Sequence, residues 1–145
     1  MALTTLVTNP TPLVKQVVMS LQQMIGENRD FSLAMLVPSE TGLSDRWNLV
    51  LSAPWIDRGG LNATIPAITT VLLKHLTRDN AHKLERVSVL PTSDTLVATL
   101  EALQIPLGEI RLLQHFPRAE GAIVLVSERP EATKGYRSQP LTTRA

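Results

Sequence analysis

At 145 residues the chain has the length of one domain, enough to bury a core without disulfides or a structural metal. Apolar residues make up 43% and aromatic residues only 3%, so the core must be built from Leu, Ile, Val and Ala. The absence of cysteine excludes disulfides, thiolate zinc sites, iron–sulfur clusters and cysteine nucleophiles, and a net charge of +1 is far from the strongly basic surface of a nucleic-acid binder.

That charge is unevenly spread. Residues 1–127 carry 10 Lys and Arg against 11 Asp and Glu, whereas residues 128–145 carry 4 against 2. The body is slightly acidic and the tail mildly basic. The first ten residues lack the basic start and apolar stretch of a signal peptide, and no later run reaches membrane-spanning length, so the sequence reads as cytoplasmic with no membrane partner.

Thr11-Pro12 opens the first expected helix, with a hydroxyl to cap free backbone N–H groups and proline where its missing N–H costs nothing. Leu13, Val14, Val17, Val18, Leu21, Met24 and Ile25 follow at helical spacing, and Gly26 ends the pattern. The apolar runs Phe31 to Val37 and Trp47 to Ala53 read as two strands of an antiparallel hairpin, each closed by a proline. Consecutive Leu49, Val50 and Leu51 require cover on both faces. Asp57-Arg58-Gly59-Gly60 reads as a turn, after which Ile65, Ile68, Val71, Leu72 and Leu76 mark a second helix beginning near Asn62 or Thr64. Val87 to Leu90 gives a third strand, Ser93-Asp94 caps a third helix, and Glu109 to Gln114 with Ala122 to Ser127 forms a closing hairpin.

The expected fold class is therefore α/β, a mixed five-stranded sheet with three helices in the order α-β-β-α-β-α-β-β. Strands two to three and three to four should both be joined by right-handed crossovers through a helix. Residues 1–127 form the domain, and residues 128–145, rich in Pro, Thr, Ser and Arg, form a disordered tail.

The best candidate ligand site is the strand-to-helix turn of Trp55, Asp57, Arg58, Gly59 and Gly60. Ligands of open α/β sheets bind at that edge, the glycines admit a close backbone approach, and Arg58 can grip a phosphate or carboxylate. The same residues suit an ordinary sharp turn, and neither a phosphate-binding loop nor a dinucleotide fingerprint is present. His75, Asp79 and His82 have metal-ligand spacing only if the second helix runs past Leu76, where its apolar rhythm stops, so no metal or other cofactor is expected. Ser39, Ser52, Ser88 and Ser93 lack a nucleophile elbow, His115 lies in the closing hairpin, and Asp45, Asp57, Asp94 and Glu120 are scattered, so no catalytic residue is assigned.

The stretch from Ser44 to Asp57, with Ser52-Ala53-Pro54-Trp55 at a strand end, resembles a segment of short bacterial α/β proteins of no assigned activity. The resemblance covers about Asp45 to Leu90. It implies a bacterial origin and a similar fold, and carries over no functional residue. The favoured expectation is a non-enzymatic interaction or scaffolding module that self-associates as a homo-oligomer. The alternatives are a binder or enzyme for a small anionic ligand at Trp55 to Gly60, and a weak nucleic-acid contact through Arg129, Lys134, Arg137 and Arg144 of the tail.

Overall fold

The computed structural model describes residues 3–39 and 46–128. The tail expected to be disordered, with its proposed nucleic-acid contact, lies outside them from residue 129 onward. Along the chain the elements are β1 (Leu3–Leu6), α1 (Pro12–Gly26), β2 (Leu33–Pro38), β3 (Trp47–Ser52), α2 (Pro54–Gly59) and α3 (Ile65–His75). They continue with α4 (Arg78–Lys83), β4 (Leu84–Val89), α5 (Thr95–Glu101), β5 (Arg111–Gln114) and β6 (Ile123–Val126).

The strands form one sheet in the order β1-β5-β6-β2-β3-β4. Only β3 and β4 run parallel; every other neighbouring pair is antiparallel. Both expected hairpins are present, as β2 with β3 and β5 with β6, and the β3-α3-β4 crossover joins parallel strands.

The architecture is α/β with a mixed sheet, but the described residues form six strands and five helices, not five and three. The extra strand, β1, is a Thr-rich edge that acquires its partners only from distant β5, with Thr4 opposite Leu113. No local periodicity announces such a strand. The extra helix α2 replaces the expected turn: Pro54 supplies helical φ at the first position and Ile56 is drawn fully into the core. Similarly α4 replaces the expected solvated connection, because the Thr77 hydroxyl accepts from Asn80 N–H at 3.3 Å and starts a new turn.

The second expected crossover is also overturned. β5 does not neighbour β4; the chain after α5 travels to the far side of the sheet, where β5 pairs with β1 and β6. The reason is the closing hairpin, whose β6 takes the place beside β2 and carries β5 outward with it.

Two cores flank the sheet. On one face Ala34, Leu36, Leu49 and Leu51 meet α1 through Leu13, Val17, Leu21 and Met24, and α3 through Ile68 and Leu72. Each such aliphatic side chain contributes about 2 kcal/mol by leaving water. On the other face Leu33, Met35, Leu113 and Val124 meet α5 through Leu96, Val97 and Leu100, together with Phe116 and Ala119 of the β5–β6 connection. One short helix cannot cover six strands, so this second face is only partly roofed.

Candidate functional site

The uncovered part of the second face lies over β2, β3 and β4. Strand pairing sets Val37 opposite Asn48 and Asn48 opposite Arg86, while one step along Met35 faces Val50 and Val50 faces Ser88. Because side chains alternate across a strand, these two rows share one face, opposite to that of Leu36, Leu49 and Val87. They floor a groove of about 230 Å³, walled by Leu96 of α5 and Arg118 of the β5–β6 connection. Its apolar surface comes from Met35, Val37, Val50, Leu90 and Leu96, and its polar groups from Asn48, Arg86, Ser88 and Arg118.

The side-chain oxygen of Asn48, Oδ1, is buried and has no hydrogen-bond partner. A buried acceptor left unmet costs about 1 to 3 kcal/mol, so it stands out in an otherwise well-packed sheet. The hydroxyls of Ser52 and Ser127 are the other orphans among the described residues, and both residues are fully buried. Arg86 is exposed and makes no ion pair among the described residues.

Arg118 has a left-handed backbone and a partly exposed side chain that reaches Asp94. Its φ of 68 lies in the left-handed region that non-glycine residues avoid, as does the φ of 59 at His115 in the same connection. From there its guanidinium donates to Asp94 Oδ1 at 3.3 Å. Asp94 also caps α5, accepting from Leu96 N–H at 2.8 Å. That backbone bond, opposed by partial desolvation and aided by Arg118, holds the Asp94 carboxyl below the usual carboxylate range.

No family model, curated protein or solved structure matches this chain. Its chemistry has to be argued from its own residues.

The residues singled out from the sequence lie in and just after α2 and do not line the groove. Trp55 is half-buried: its indole N–H donates to the Asp30 carbonyl at 2.9 Å, its ring meets Phe31 edge to face at 5.7 Å, and the Arg29 guanidinium sits 5.5 Å from its centroid. Asp57 accepts from both the backbone N–H and the hydroxyl of Thr92, tying α2 to the loop after β4. Arg58, Gly59 and Gly60 are exposed. Gly60 has a φ of 92, and a Cβ on Gly59 would come within 2.8 Å of Thr64 Cγ2, so the close turn requires both glycines.

The histidines do not share a helix face. His75 ends α3, where its Nε2 lies 2.8 Å from Gln23 Oε1 of α1, and His82 sits in the last turn of α4. Asp79 occupies the first turn of α4. Among the described residues no three His, Asp or Glu side chains converge as a metal site would require. Of the serines, Ser39 donates to Glu85 at 2.7 Å and Ser88 lines the groove, while Asp45 lies outside the described residues. No helix among the described residues is long and apolar enough to cross a membrane.

Sequence reasoning missed Asn48, Arg86, Ser88 and Arg118. The signal was present: Asn48 interrupts an apolar strand, and Arg86 and Ser88 alternate with Val87 and Val89. It becomes readable only once β3 is known to pair with β4, which puts the three polar residues on one surface.

Proposed function

We propose that this chain is a non-catalytic binding module that receives its partner on the half-roofed sheet face over β2, β3 and β4. The observation that carries the reading is the groove itself, an aliphatic floor edged by hydrogen-bonding groups and cations. Binding sites are characteristically apolar concavities with a few converging polar groups. The side chains that line this one offer contact surface, hydrogen bonds and positive charge, and they include no carboxylate or imidazole to move a proton. The Trp55 to Gly60 turn is the weaker candidate for the ligand, because Trp55 and Asp57 already direct their polar atoms to Asp30 and Thr92.

An NMR fragment screen on the isotope-labelled protein tests the reading. Hits should cluster on the amides of Val50, Ser88 and Leu90. Hits gathered at Trp55 to Gly60, or none near β3 and β4, would remove the groove from consideration.

Self-association is the second reading. It is supported by the position of β4, an edge strand whose only strand neighbour among the described residues is β3. Light scattering coupled to size-exclusion chromatography should then report a dimer or larger species. A clean monomer at high concentration counts against it.

A further inference from the structure

On the reading that the chain self-associates, we infer that a second copy pairs with it edge to edge along β4, antiparallel and centred on Ser88, so that two sheets become one and the partner extends the groove.

The direction of the backbone defines the edge. The Leu90 N–H donates to the Leu51 carbonyl at 2.9 Å, so Leu90 turns its backbone groups toward β3. Successive residues of a strand turn theirs to opposite edges, so Ser88 and Arg86 also address β3, while Val89 and Val87 point away from it. Among the described residues β3 is the only strand beside β4, and neither valine makes a backbone bond to a turn or loop. Such a row of groups is a template for a further strand. It is also within reach: Val87, Ser88 and Val89 are only partly buried, whereas Leu33 to Leu36 in the central β2 are fully buried.

Symmetry limits the register. A contact of β4 with the same strand of a second copy is isologous; it closes about a two-fold axis perpendicular to the sheet and sets the strands antiparallel. Opposed residues then share a sheet face. Centring the pair on Arg86 sets two guanidinium groups directly opposite each other, and centring it on Val87 leaves them diagonal neighbours across the axis, where long side chains still meet and like charges repel. Centring it on Ser88 sets Val87 opposite the partner's Val89, and each valine gives and receives a backbone hydrogen bond. Ser88 then faces the partner's Ser88, and Arg86 faces the partner's Leu90 at the end of the pair. The valines meet on the helix-covered face, where Val87 and Val89 already pack against the core. The serines meet on the groove face.

The groove gains most from this arrangement. Arg86, Ser88 and Leu90 line it from β4, the strand at the sheet edge, and the same three residues of the partner continue its floor past that edge. The two-fold axis keeps both copies of α5 on one face. Each groove becomes one half of a longer trough with an α5 at either end.

The chain has no cysteine, so an introduced one reports alone. In this register the two Ser88 Cα atoms stand about 4.5 Å apart, within the span of a disulfide. Light scattering should give the full chain twice the mass of one copy. Under mild oxidation Ser88→Cys should join into a covalent dimer, while Met19→Cys, exposed on α1, stays uncrosslinked. Ser88→Lys sets two ammonium groups opposite each other and should run with the mass of one copy and an unchanged circular dichroism spectrum. If Ser88→Lys does not fold, the crosslinking decides. A dimer that persists in folded Ser88→Lys, or crosslinking of Ser88→Cys no faster than of Met19→Cys, overturns the β4 pairing while leaving self-association through another surface. A full chain with the mass of one copy at high concentration overturns both.

Discussion

Replacing Asn48 with leucine should stabilise this protein. Asn48 lies in β3 between buried Leu49 and half-buried Trp47, and its buried side-chain Oδ1 has no protein hydrogen-bond donor. An unmet buried acceptor costs about 1 to 3 kcal/mol, and asparagine is among the poorer strand formers. Leucine removes both penalties and keeps an apolar side chain beside Val37 and Val50 on the groove floor. The expected gain is about 1 to 2 kcal/mol, or roughly 4 to 8 °C in Tm for a domain of this size. Urea denaturation followed by circular dichroism is the direct assay. The midpoint should rise with an unchanged slope, which would show that the folded state changed and the denatured state did not. A variant with an unchanged or lowered midpoint would refute the reasoning, because it would mean that Oδ1 is already satisfied in solution. Such a gain on removing a polar side chain is the pattern of a site that gives up stability for binding.

Leu51→Ala should cost about 3 kcal/mol, read as a lowered urea midpoint, because Leu51 is fully buried between the sheet and its helix layer. Gly59→Ala should destabilise by about 1 kcal/mol through the 2.8 Å approach to Thr64 Cγ2, and Thr64→Ser, which lacks that methyl, should restore most of the loss in a double-mutant cycle. The folded-state pKa of Asp94 is depressed, so its stabilising contribution is present above the ordinary carboxylate range and is lost as the pH falls through the lowered value. Asp94→Asn should therefore flatten the acid limb of a stability-against-pH curve below about pH 4, and a limb of unchanged steepness would exclude Asp94 as its source.

The helices α1 and α5 were legible because their signals are local. Thr11-Pro12 and Ser93-Asp94 mark starts that α1 and α5 use, through bonds from Val14 N–H to Thr11 and from Leu96 N–H to Asp94. The two hairpins were legible for the same reason. What escaped was non-local or short. β1 is a strand only in the presence of β5, and α2 is a helix because Ile56 is pulled inward from a segment whose glycines suggest a turn. The residues expected to bind a ligand have neighbours within the chain: Trp55 donates to Asp30, Asp57 accepts from Thr92, and Gly59 lies close against Thr64. The groove escaped because Asn48, Arg86 and Arg118 are separated by long stretches of chain, and only strand pairing and the route of the β5–β6 connection bring them together.

The pairing of β1 with β5 also bears on how the chain is made. On the ribosome Thr4 is made before Leu113, which faces it in the sheet, and the elements from α1 to α5 are made between the two. At about 5 to 20 residues per second, the first strand spends several seconds with its hydrogen-bonding groups unclaimed. Thr4 and Thr5 make that segment less apolar than an all-aliphatic strand would be. Replacing both with valine would turn a harmless delay into an opportunity for nascent chains to adhere to one another.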